Sequence, residues 1–203
     1  TTLVDTMRQD AQLWNDLLWA SGGALEFPKC LYHISHYMFT PDGAPVLKYN
    51  FEDIELKLQS GDRSRTDLIQ QKTPYTDHKT LGYWKSPGGG QMKQFRTLLK
   101  QSDDMAQFIR TSPMNRSDTW TFYFAIYLPS CGYPLETTFF RKSQLDKIQR
   151  KAINATLSKC GYNQHMAREV VYGPSGYGGL SIRHLYDEQG IKIVQQFLKH
   201  WRS

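Results

Sequence analysis

Met7, Ala11, Trp14 and Leu18 recur at helical spacing with Arg8, Gln9, Asn15 and Asp16 between them. That pattern predicts one amphipathic helix from Asp5 to Trp19, closed by Ser21-Gly22-Gly23. Cys30 to Phe39 is rich in β-branched and aromatic residues and meets a turn signal at Thr40-Pro41-Asp42-Gly43. It should therefore be one arm of a hairpin, with Val46 to Tyr49 returning. Ile54-Glu55-Leu56-Lys57-Leu58 alternates at period two and predicts a half-buried strand before the Ser60-Gly61-Asp62 turn. A further strand is expected around Thr80 to Trp84.

Beyond Ser86-Pro87-Gly88-Gly89-Gly90 the period becomes helical. Met92, Phe95, Leu98, Leu99, Met105, Phe108 and Ile109 supply one apolar face, which stops at Ser112-Pro113. Trp120, Phe124, Tyr127 and Leu128 supply a second. Leu145, Ile148, Ala152 and Ala155 form a third, and Ile191, Val194, Leu198 and Trp201 a fourth. Gly132 and Gly161 sit where helices should end. The expected class is α+β, a helix with a small antiparallel sheet over 1–88 and a helical bundle over 89–203.

Composition narrows the function. With 203 residues and 39% hydrophobic content the chain can bury one good core or two small ones. No apolar run approaches the roughly 18 residues of a membrane span, so no membrane partner is expected. Cys30, Cys131 and Cys160 are odd in number and widely spaced, which points to neither a disulfide framework nor zinc, and suits a reducing compartment, nucleus or cytoplasm. Up to Gly88 there are 9 Lys/Arg against 11 Asp/Glu; from Gly89 on there are 16 against 8. The second half thus carries all of the net +6, as a surface facing phosphates would, and as a solubilising surface also would. The chain starts Thr1-Thr2-Leu3 without a methionine and stops at Arg202-Ser203 inside a helical pattern, so it reads as a fragment or a processed piece.

Three phrases, in order along the chain, carry a resemblance. Ser21-Gly22-Gly23-Ala24-Leu25-Glu26-Phe27-Pro28-Lys29-Cys30 is similar to the helix-to-strand passage of the fourth polymerase motif of non-LTR (LINE-like) retrotransposon reverse transcriptases, without its asparagine. His78-Lys79-Thr80-Leu81-Gly82 resembles their primer-grip phrase, with Thr80 for the usual aromatic. Tyr177-Gly178-Gly179-Leu180-Ser181-Ile182-Arg183-His184-Leu185, followed by Lys199-His200-Trp201, resembles the passage downstream of the thumb and is the most specific of the three. The resemblance implies the C-terminal part of a polymerase palm followed by a helical thumb. It implies a primer-template partner, RNA–DNA or DNA, together with the upstream fingers and palm of a parent polyprotein. It also implies Mg²⁺ for that parent, held by two aspartates that this chain lacks; Asp103-Asp104 falls in a helical pattern and Asp5 stands alone. No cofactor is expected here, and no polymerisation by this chain alone.

The candidate residues follow, each with its plainer alternative. The resemblance implies that Lys29 assists nucleotide addition; beside Pro28 the plainer reading, a solvated lysine, is the stronger. Leu81, Gly82, Tyr83 and Trp84 would form the primer grip, or a strand whose aromatics are core. Gly88-Gly89-Gly90 before Lys93 and Arg96 could present amides to phosphate, although a linker explains it better and no P-loop spacing follows. Lys93, Arg96 and Lys100 form one basic stripe, and Arg141, Lys142, Lys147, Arg150 and Lys151 crowd another helix, as a nucleic-acid track or as a solvated face. His33 and His36 should point to opposite faces of a strand, and Cys160 with His165 lacks a second pair, so no metal site is assigned. Two other classes stay open: a stand-alone helical nucleic-acid-binding module, and a degenerate remnant without activity.

Overall fold

The computed structural model describes residues 3–48 and 54–201. The fold is α+β and divides into two compact units, one reaching to Asp77 with Ser86–Gly90 added, the other formed by His78–Lys85 and everything from Gln91 onward. Each unit has its own core.

In the first unit, α1 (Leu3–Ala20) lies along β4 (Leu56–Gln59) of a three-stranded sheet ordered β1-β5-β4. β1 (Leu31–Tyr32) runs parallel to β5 (Thr66–Gln71), and β4 pairs antiparallel with it, Leu56 opposite Ile69. Leu56, Leu58, Ile69 and Phe27 are buried, with Met7 and Ala11 of α1 packed on them. The sequence pattern places Trp14 on the buried face of α1, yet its side chain is 63% exposed and Asn15 is the buried one. The reason is polar. Asn15 donates to the Gln59 carbonyl at 2.7 Å, and Gln12 accepts from the Gln59 amide at 2.8 Å, so α1 satisfies the open edge of β4 with amide side chains.

One further expectation is corrected, and one strand has no counterpart in the sequence reading. Cys30 to Phe39 is not one strand: β1 joins the three-stranded sheet, while β2 (Tyr37–Phe39) forms a separate hairpin with β3 (Pro45–Leu47), register Met38 to Val46. Tyr49 of the expected return arm lies outside the described residues. The central strand β5 was invisible to pattern reading, because Asp67, Gln70 and Gln71 interrupt its apolar alternation.

The second unit is built on two long helices. α2 (Met92–Thr111) and α5 (Lys142–Lys159) run in parallel at constant offset: Gln91 to Phe139, Ser102 to Ile148, Asp103 to Lys151 and Ser112 to Lys159 are bonded pairs 46 to 48 residues apart. The return path between them is α3 (Arg116–Phe122), a π-helical turn at Tyr123–Tyr127, α4 (Leu128–Gly132) and a 3₁₀ turn at Tyr133–Glu136. Leu98, Ile109, Leu145, Ile148 and Leu157 fill the space between, with Tyr123 and Tyr127 stacked at 5.0 Å. Burial also pushes the Cys131 thiol up to about 12.

Several buried polar groups here are paired. Ser102 donates to the Ile148 carbonyl at 2.6 Å, so its oxygen is free to accept from the Tyr127 hydroxyl at 3.0 Å. Gln149, 1% exposed, donates to the Tyr123 hydroxyl and the Arg183 carbonyl and accepts from the Leu185 amide. One side chain thereby ties α5 to the π-turn and to the start of α7 (Leu185–Trp201).

The Gly178-Gly179-Leu180 phrase has a packing role. It crosses the end of α6 (Arg168–Tyr172), Leu180 donating to Val170 and Ile182 to Val171, and a Cβ on Gly179 would stand 2.1 Å from the Gly173 carbonyl oxygen. The expected apolar face of α7 is not core: Ile191, Val194, Leu198 and Trp201 are exposed, and Leu185 and Gln189 are the buried positions. Gln189 pairs with both backbone groups of Phe140 and seats only the first turns of the helix.

Three outcomes follow from this packing. Gln149→Leu strands a hydroxyl, a carbonyl and an amide, and should lower unfolding free energy in urea by about 3 kcal/mol. Gly179→Ala meets rigid backbone and should cost about 3 kcal/mol, the upper range for overpacking. The Asp62 carboxyl is lowered from 3.8 to about 2 by hydrogen bonds from the Ser60 hydroxyl and from the Ser64 amide and hydroxyl. Because its folded value is depressed, its contribution to the β4–β5 loop is present above pH 3.8 and is lost as pH falls through about 2. An NMR titration of the Asp62 carboxyl should show that midpoint.

Candidate nucleic-acid interface

Residues four apart on a helix share a face, while each single step turns about 100°. On α2 this puts Lys93, Arg96, Lys100 and Asp103 within one exposed sector. On α5 it groups Lys147 with Lys151, while Lys142 stands about 140° from Lys147 and Arg150 about 60° from it. The Asp103–Lys151 ion pair, 2.5 Å, shows which α5 sector borders the α2 stripe. With the constant offset between the helices, Lys147 stands level with Lys100. Lys93, Arg96, Lys100, Lys147 and Lys151 thus flank one seam about 15 Å long, the distance that separates roughly four base-pair steps.

Lys142 and Arg150 face elsewhere. They line a cavity of about 490 Å³ with Arg168, Asp146, Glu169, Asp187 and His184. Its three cations are matched by three carboxylates, so it presents no net positive field. His184 is buried, accepts from the Tyr186 amide at Nδ1 and therefore donates from Nε2 to Asp146 at 2.6 Å. Arg141 precedes α5, exposed, its amide donating to Gln144. Arg168 belongs to a short helix with no sequence periodicity to announce it.

Thr80 to Trp84 is not a continuous strand. β6 (His78–Thr80) and β7 (Tyr83–Lys85) form a hairpin whose two-residue turn is Leu81-Gly82, with φ of +49° and +92°. Both turn positions of such a type I′ hairpin need positive φ, which glycine accepts and leucine resists at about 1–2 kcal/mol. Leu81 gains nothing from burial in exchange, being 79% exposed. The hairpin is held at both ends: Tyr133 donates to the Leu81 carbonyl at 2.7 Å, and the Trp84 amide donates to buried Gln94 at 2.7 Å. Lys93 lies 3.3 Å above the Trp84 ring, linking hairpin and seam. Sequence reading finds these residues; the strained turn is visible only in three dimensions.

Lys29 ends the 3₁₀ turn Phe27–Lys29 of the first unit and is exposed. The hairpin residues and the basic candidates of α2 and α5 belong to the second unit, whereas Gly88–Gly90, His33 and His36 belong to the first. Gly88–Gly90 follows β7 as a loop, where Gly88 bonds to Pro74. His33 lies outside any strand, its Nδ1 against the Lys72 carbonyl. Among the described residues no three His, Cys, Asp or Glu groups converge as metal ligands, and no helix is long and apolar enough to cross a membrane.

Leu81→Gly relieves the turn, so it should raise stability in urea by about 0.5–1 kcal/mol. If the exposed leucine serves a ligand, the same variant should bind primer-template more weakly, and a fluorescence-anisotropy titration separates the two effects. No protein-family model matches the chain, and no curated protein or solved structure matches it either.

Proposed function

We propose that the chain binds primer-template nucleic acid as the palm-end and thumb part of a LINE-like reverse transcriptase, the catalytic aspartates and their Mg²⁺ being supplied by a segment outside this sequence. The observation that carries this reading is the seam: five exposed Lys and Arg side chains from two parallel helices, with Asp103 the one carboxylate paired into it. Phosphates binding there would release counterions from a surface on which, among the described residues, Lys151 alone of the five cations is ion-paired. The hairpin adds a strained, exposed Leu81 beside a lysine-capped Trp84, a rigid apolar tip suited to the sugar edge of a primer end. In this role Lys29 is an accessory to nucleotide addition. Its work would take place within the nucleus or cytoplasm.

A second reading has one observation in its favour. Hairpin and seam both belong to the second unit, so a helical nucleic-acid-binding module could use them without any polymerase.

Binding of the whole chain to an RNA–DNA hybrid with a recessed 3′ end, measured over a salt series, tests both. The Lys93/Lys100/Lys147 triple alanine variant should lower the magnitude of the salt slope by about 2–3 units, while Lys142/Arg150 double alanine leaves it unchanged. A stand-alone module would bind recessed and blunt hybrids equally well. A slope that both variants leave intact would contradict the reading.

A further inference from the structure

We propose that the cleft between α3 and the turn after α5 binds one unpaired base of a single-stranded nucleic acid. This rests on the nucleic-acid reading above but uses none of the seam residues. The cleft measures about 460 Å³ and is lined by Arg116, Ser117, Trp120, Thr121 and Tyr162. Its construction is local. The Asn115 side chain caps α3 by accepting from the Asp118 amide at 2.9 Å, and the Asp118 carboxylate returns to the Asn115 amide. Arg116 and Trp120 then lie one turn apart on the same face, with Ser117 and Thr121 in the adjoining column. Tyr162, whose amide bonds back to the Leu157 carbonyl, brings its ring to Arg116.

The arrangement has the components of a stacking site. The Arg116 guanidinium carbon is 4.7 Å from the centroid of the Tyr162 ring, and the same side chain donates to the Tyr162 hydroxyl, which holds the guanidinium plane in place. Trp120 packs on Phe124, their ring centroids 5.4 Å apart, which restrains its indole. Flat walls of this kind accept the π-face of any base.

The charge completes the choice of ligand. No lining residue is acidic, and the nearest carboxylate on α3, Asp118, is engaged in the cap. Arg116 is the cation for a phosphate, and the Ser117 and Thr121 hydroxyls can pair with base or sugar edges. A paired base has both faces already stacked within its duplex, so the occupant must come from a single strand. The seam runs along the first half of the α2–α5 pair, and the cleft lies past the end of α5 at Lys159, which is about 12 Å beyond Lys151 along the helix.

The test uses the whole chain and a twelve-residue oligothymidylate. In ¹H–¹⁵N spectra, the Trp120 indole resonance, assigned by its loss in Trp120→Leu, should shift on addition of the oligonucleotide, whereas that of Trp14 should not. Trp120→Leu and Arg116→Gln should each weaken oligothymidylate binding about ten-fold and leave blunt-hybrid binding unchanged. An unmoved Trp120 resonance at saturating oligonucleotide overturns the inference, and that readout on the unaltered protein does not depend on any variant folding. Blunt-hybrid binding without oligothymidylate binding defeats the cleft alone; the reverse defeats the seam reading and leaves the cleft.

Discussion

The parallel pairing of α2 with α5 is the constraint on which the rest of the second unit depends. Parallel helices cannot be joined by a short loop, so the chain must travel back along their length, and α3, the π-turn and α4 are that return. The offset is fixed by buried polar groups as well as apolar packing. Ser102 of α2 reaches a backbone carbonyl of α5, while Gln149 ties α5 to the π-turn and to the start of α7. A slip of the pair would part the Ser102 hydroxyl from its α5 carbonyl in a dry core, an outcome that apolar contacts alone would penalise far less. Register in the core therefore sets register at the surface, where it makes a single seam of lysines from two separate stripes.

Much of this was legible in the sequence, because helical periodicity reports burial directly. The apolar faces of α2 and α5 were read from Phe95, Leu98, Leu145 and Ile148, and the α1 helix from Met7 and Ala11. What failed has physical causes. Strand β5 hides behind Asp67, Gln70 and Gln71, since its place in the sheet is set by backbone pairing with both neighbours and not by side-chain burial. Trp14 loses its expected place to Asn15 because an open strand edge favours an amide over an indole. The stripe on α7 has the right period for a core, yet only its first turns meet the bundle.

The site was partly legible for a similar reason. Charge can be counted along a chain, but two basic residues three apart on α5, Lys147 and Arg150, belong to different surfaces once Asp146 and Asp187 are placed beside one of them. No pattern in the sequence sets Lys100 level with Lys147. Nor does any pattern distinguish a leucine in a strand from a leucine forced to φ +49° at the tip of a clamped hairpin. The glycines that carry the strongest resemblance turn out to have a packing explanation, since Gly179 fits where a Cβ would strike the Gly173 carbonyl.

The central claim is that one face of the second unit, the α2–α5 seam together with the hairpin tip, meets the nucleic acid. Backbone chemical-shift mapping of the whole chain against an RNA–DNA hybrid with a recessed 3′ end tests it most directly. The account predicts perturbations concentrated at Leu81, Lys93, Arg96, Lys100, Lys147 and Lys151, with Lys142 and Arg150 left quiet. Perturbations centred instead on the Lys142–Arg150 cavity, or none at a saturating concentration of hybrid in low salt, would contradict it.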